Sequence, residues 1–136
     1  MITQKYVNDV AYKVVGCAIE VHKHLGPGLL ESVYHTCLAD EFRNCNLNFQ
    51  AQMWLPVKYK SKKLEGALRL DFLIENLVVL ELKAVDIIIP VYKAQLLSYL
   101  KLSKMPKGLL INFHSENIVQ QMVPLVTEEF SKLPKE

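Results

Sequence analysis

The chain has 136 residues, 51% of them hydrophobic, with a formal net charge of +2 and a pI near 8.4. This length suits one domain with a substantial core, and the mildly basic balance permits nucleic acid as a partner without demanding it. No run of about 18 apolar residues marks a transmembrane helix, and the start MITQKYVNDV lacks the apolar stretch of a secretory signal, so a cytoplasmic protein without a membrane partner is expected.

From Thr3 to Leu25 the pattern is helical: Tyr6, Val7, Val10, Ala11, Val14, Cys17, Ala18, Val21 and Leu25 recur at spacings of three and four, and Thr3 is placed to cap the start. Gly26-Pro27-Gly28 ends this helix. His22 and His24, in its last turn, are two apart and point to different sides, which disfavours a joint metal site. A second helix is expected from about Leu29 to Asn44, with an apolar stripe of Leu30, Val33, Tyr34, Cys37, Leu38, Phe42 and Cys45. Glu31 either complements the helix dipole or turns inward as a carboxylate ligand; spacing does not choose. Cys17, Cys37 and Cys45 lack metal-type spacing and read as reduced thiols packed in helices.

Phe49 to Tyr59 reads as a strand, which Pro56 makes an edge. Lys58, Lys60, Lys62 and Lys63 flank the following turn, either as a solvated surface or as an attractor for a polyanion, and Gly66 suggests a bulge or bend. The stretch Arg69 to Lys83, RLDFLIENLVVLELK, is the organising element, two strands about a tight turn at Glu75-Asn76. Glu81 and Lys83 share a face. A two-residue loop would set Asp71 opposite Leu80; a three-residue loop, Glu75-Asn76-Leu77, sets it opposite Glu81, and that register is the one expected. Two carboxylates so placed repel, and a divalent cation relieves the repulsion. The plainer alternative is a half-exposed strand with Glu81 and Lys83 facing water and Asp71 paired across to Lys83.

Pro90 opens a third helix reaching about Ser103, with Gln95 and Tyr99 on one face. Pro106-Lys107-Gly108 breaks it; Leu109 to Phe113 reads as an interior strand, Ile118 to Val126 as a last strand, and Thr127 to Glu136 as a short, frayed helix or tail. The expected order is ααβββαββ, a mixed sheet flanked by helices.

Asp71 with Glu81-Leu82-Lys83 resembles the PD-(D/E)xK nuclease signature, and Gln95-x-x-x-Tyr99 resembles an accessory motif of several of its branches. Gly28 to Tyr34 is similar to the GxxExxY pattern that names a small prokaryotic family of that superfamily, a likeness extending over roughly His22 to Val123. The resemblance implies an α/β restriction-endonuclease-like core and a hydrolase acting on nucleic acid with Mg²⁺ or Mn²⁺. It implies metal ligation by Asp71, Glu81 and the Leu82 carbonyl, with Glu31 binding directly, through water or at a second metal. Lys83 would orient the attacking water and Gln95 would position water or phosphate, with in-line attack leaving a 5′-phosphate. Tyr34, Tyr99 and His22 are supporting candidates, and a homodimer through the long first helix would let two sites address two strands. The alternatives are a nuclease-like fold that binds nucleic acid or a protein without catalysis, and a small interaction protein with an ordinary surface hairpin.

Overall fold

The computed structural model describes all residues, 1–136. Helices α1 (Gln4–Leu25) and α2 (Glu31–Asn44) lead into a hairpin of strands β1 (Phe49–Tyr59) and β2 (Lys62–Ile74). Strand β3 (Val78–Lys83), helix α3 (Pro90–Ser103), strand β4 (Lys107–Asn112), a single turn α4 (Ile118–Gln121), strand β5 (Val123–Val126) and a second single turn α5 (Glu128–Ser131) complete the chain. The five strands lie in the order β1-β2-β3-β4-β5; only β3 and β4 run parallel, joined by the α3 crossover.

Val7, Val10, Ala11, Val14, Cys17, Ala18 and Val21 of α1 are buried, as their spacing requires, and Thr3 Oγ1 accepts from the Tyr6 N–H at 3.0 Å; Tyr6 itself is exposed. The stripe expected for α2 is shifted. Leu30 is the N-cap and 75% exposed, Val33 and Cys45 are also exposed, and the buried face is Tyr34, Leu38, Ala39 and Phe42. One core layer lies between α1, α2 and the sheet residues Phe72, Ile74, Val78, Leu80, Leu82, Leu109 and Ile111. A smaller layer on the opposite face packs Leu55, Leu70, Leu73, Val79 and Leu110 against Leu96 and Leu100 of α3. Thus β3 and β4 alternate cleanly between two buried faces.

The β1–β2 ribbon does not. Phe49 and Phe72 face the α1/α2 layer, whereas Met53, Leu55 and Leu70 face α3, although each strand steps an even number of residues between them. Register is kept across the change, with Ala51 opposite Phe72 and Met53 opposite Leu70. Between these pairs Gln52 has a positive φ of 54° opposite Asp71, so the ribbon turns over at that one rung. Farther out, the register shifts between Leu55 and Val57, at Pro56, with Gly66 (φ 64°) on the other strand, and β1 is an edge strand as Pro56 suggested.

Two expectations at the C-terminal end are corrected. Ile118 to Val126 is not one strand: the Asn117 side chain accepts from the Val119 and Gln120 N–H groups and starts the α4 turn, leaving β5 only four residues. The order is therefore ααβββαβαβα. Nor does the tail fray, because the carbonyls of Pro134 and Lys135 accept from the Gln4 and Lys5 N–H groups at 2.8 and 3.0 Å, satisfying free donors at the start of α1.

Candidate active site

The β2–β3 hairpin closes through three residues, Glu75-Asn76-Leu77, with Ile74 opposite Val78, Leu73 opposite Val79 and Phe72 opposite Leu80. Both Glu75 and Asn76 take positive φ. The same register carries Asp71 to Glu81. There the backbone ladder gives way to side chains: the Asp71 N–H donates to Glu81 Oε1 (3.1 Å) and the Leu82 N–H donates to Asp71 Oδ2 (3.0 Å). Strand β3 stays paired to β4 as far as Lys83 opposite Asn112, so β2 and β3 splay apart while the sheet beneath remains continuous. The two carboxylates fill the resulting fork.

Glu81 is buried, 8% exposed. Burial, reinforced by the Asp71 charge beside it, pushes its carboxyl pKa up to about 9. Lys83, half-buried with its Nζ 4.5 Å above the Tyr92 ring, works against that rise. Glu31 opens α2 at the rim of the fork. Its carboxyl is also pushed up, first by burial and then by Asp71, with Lys83 again opposing, even though the residue retains an exposed edge. From α3, Tyr99 is raised by burial and by the Glu81 and Asp71 charges, while a hydrogen bond with Gln95 lowers it. Asp71, Glu81, Lys83, Glu31, Tyr99 and, through Tyr99, Gln95 thus share one electrostatic neighbourhood.

Two supporting candidates are engaged elsewhere. Tyr34 stacks on Phe113 (4.6 Å between centroids), donates its hydroxyl to the Gly26 carbonyl (2.6 Å) and accepts from the Leu29 N–H (3.1 Å). It clamps the Gly-Pro-Gly loop that delivers Glu31 to the fork. His22 meets the Ser115 carbonyl at 2.7 Å and no carboxylate of the cluster.

No three His, Cys, Asp or Glu side chains converge tightly enough to hold a metal alone. The donors present nevertheless fit a hard divalent cation. Asp71 and Glu81 offer carboxylate oxygens at adjacent positions; burial first and the Asp71 charge second raise the Glu81 pKa, and a cation between the two carboxylates would offset both.

Residues 8–123 match the sequence profile of the PD-(D/E)XK nuclease superfamily. The chain belongs to the PD-(D/E)XK nuclease superfamily. The crystal structure of SSO0001 is similar in fold, with a TM-score of 0.52 at 19% identity over 70% of this chain, which spans 48% of that protein's chain. The likeness fits a restriction-endonuclease-like core. No curated protein gives a significant match.

Beside this PD-(D/E)XK fork lie two residues that sequence reasoning passed over. His35 stacks on Phe72 (4.1 Å, 14°), with Nε2 3.2 Å from the Asp71 carbonyl oxygen and 2.9 Å from Gln52 Nε2. Gln52 Oε1 is buried without a partner. Turning the Gln52 amide over exchanges its nitrogen and oxygen, so that a His35 N–H serves both Gln52 and the Asp71 carbonyl. The available signal for His35 was its position four residues after Glu31, on the same helix face. Gln52 offered none, because its role arises from the turned-over rung.

Proposed function

We propose that this chain is a divalent-cation-dependent nuclease that hydrolyses phosphodiester bonds of nucleic acid. The observation carrying the proposal is the fork, in which Asp71 and Glu81 exchange hydrogen bonds with each other's strand and Lys83 lies on the same face as Glu81. Asp71, Glu81 and the Leu82 carbonyl would hold Mg²⁺ or Mn²⁺, with Glu31 as a direct or water-bridged contributor. Such a cation supplies Lewis acidity and charge neutralisation at the phosphate.

The Lys83 ammonium, which stands over the Tyr92 ring, offsets negative charge on the phosphoryl oxygens and orients the attacking water. Exposed Gln95 donates to phosphate or water from the α3 side, and Tyr99 keeps its proton and can donate a hydrogen bond. We further assign the chain to the GxxExxY group within the superfamily. The supporting observation is that Gly28 (φ 103°), Glu31 and Tyr34 form one unit, a turn, the acid it delivers and the clamp that fixes it. A homodimer through the outer face of α1, where Tyr6 and Tyr12 are exposed, would let two forks address two strands; sedimentation equilibrium reads this directly.

The deciding experiment measures cleavage of labelled single- and double-stranded DNA and RNA with Mn²⁺ by the wild type, Asp71→Ala and Lys83→Ala. The expected loss is about 10²–10⁴-fold for each variant. Unchanged activity in both overturns the assignment. A non-catalytic nuclease-fold module that binds nucleic acid or a protein is the second reading, and the absence of a third converging ligand side chain favours it. Calorimetry with Mn²⁺ separates the two: binding lost in Asp71→Asn supports the enzyme, whereas nucleic-acid binding indifferent to metal, without cleavage, supports the module.

A further inference from the structure

Outward from the Gln52–Asp71 rung the β1–β2 ribbon is no longer paired to β3, whose partners on β2 are Phe72, Leu73 and Ile74. One side of this free ribbon, through Leu55 and Leu70, rests on α3. Elsewhere residues 53–70 are largely exposed and strongly basic. Lys58, Lys60, Lys62, Lys63 and Arg69 stand against Glu65 alone, a local charge of +4 on a chain whose net charge is +2. Glu65 is itself paired to Lys63 at 3.2 Å.

Set into this basic surface are two exposed aromatic rings. Trp54 is 57% exposed and lies opposite Arg69, whose guanidinium is 5.4 Å from the indole centroid; Tyr59, 62% exposed, has Lys60 Nζ 5.5 Å from its ring. A tryptophan normally buries most of its large apolar surface. Here that surface is kept in water beside a cation, two residue pairs outward from the Gln52–Asp71 rung.

We propose that the outer β1–β2 ribbon is a track for single-stranded nucleic acid, with Trp54 as the platform on which a base stacks and Arg69 and the lysines as the contacts to its phosphates. Aromatic faces among cations suit unpaired bases, because bases in a duplex already stack on one another; a ribbon entering a duplex groove would instead present side chains to base edges. Two residues of strand span about 7 Å, so Trp54, on the side of the ribbon away from α3, stands close along the strand to the fork. The track rests on the nuclease reading for the class of its ligand, and gives that reading a substrate form and an entry direction.

The chain contains a single tryptophan, so its intrinsic fluorescence reports the platform directly. The full chain in EDTA is titrated with a ten-nucleotide oligo(dT) and with a blunt duplex of the same length. Saturable quenching by oligo(dT) is expected. Its affinity should fall about 50-fold between 50 and 200 mM salt if about four phosphates are neutralised. By anisotropy of a labelled oligo(dT), Trp54→Ala should weaken binding roughly 5- to 150-fold, and Arg69→Ala should weaken it and reduce the salt slope. Circular dichroism confirms that each variant is folded.

Absence of quenching, equal affinity for the blunt duplex, or unchanged binding in both variants overturns the track. Cleavage assays with Mn²⁺ run in parallel keep the two readings apart. Cleavage without quenching rejects the track and leaves the nuclease standing, whereas quenching without cleavage supports the track and rejects catalysis.

Discussion

Glu81 holds a proton that an ordinary carboxyl would have released by neutral pH, because burial and the Asp71 charge press its pKa up to about 9. The folded state therefore keeps this proton while the unfolded chain, near 4.5, has lost it. The unfolded state binds fewer protons between these values, so the metal-free protein should lose stability as pH rises from about 4.5 through about 9. Thermal denaturation in EDTA across that range should show the decline. Glu81→Gln should flatten it and raise the melting temperature at pH 8 on the order of 5 °C. A cation must displace the same proton, so Mn²⁺ should bind more tightly at higher pH and release protons on binding. At Gln52 the test is an ordering. Gln52→Gly loses the His35 hydrogen bond but relaxes the positive φ, whereas Gln52→Val loses the bond and forces a β-branched residue into that conformation. Urea titration should find the glycine variant within about 1 kcal/mol of wild type and the valine variant worse by a further 1–2 kcal/mol.

Elements in this chain are tied by single contacts that substitution can cut. Tyr34→Phe leaves the Gly26 carbonyl and Leu29 N–H without the hydroxyl, an expected cost of about 1–2 kcal/mol in urea unfolding together with weaker Mn²⁺ binding, because that loop sets Glu31. Gly108 lies where β4 passes beneath α3. A methyl group there would come within 2.9 Å of Leu100 Cδ1 and 3.0 Å of Leu96 Cδ1, both on fully buried side chains. Gly108→Ala should therefore cost about 1–3 kcal/mol. Sequence patterns served best for elements whose signals are local. Helix α3 starts and stops where Pro90 and Ser103 suggested, and of the two β2–β3 registers that the loop allowed the expected one, through Glu75-Asn76-Leu77, is present. They failed at Ile118 to Val126, where β-branched and other apolar residues suit a strand but the Asn117 cap supplies a turn. They also left Glu31 undecided, because its direction depends on Tyr34 reaching back to a loop eight residues earlier.

Across the molecule, stability should be graded along the sheet. Strands β3 and β4 are covered on both faces and paired on both edges, while the ribbon tip from Tyr59 to Leu64 has one partner strand and little cover. Hydrogen exchange should find β3 and β4 amides opening only with global unfolding and the tip exchanging orders of magnitude faster. The mixed sheet between two helical layers was legible from strand order and apolar periodicity. The reversal of the ribbon was not, since Ala51-Gln52-Met53 reads as plain alternation and the folded arrangement discloses it, through the positive φ of Gln52 and the burial of Leu70 with Leu73. That reversal has a consequence for how the protein can change. Because both strands invert together without losing alignment, the segment beyond them can change length while the rung at Asp71 stays where it is. Matched insertions near Lys58 and Lys63 would lengthen it rung by rung, and, on the proposed nuclease and track readings, would alter how far from the fork a strand is first held.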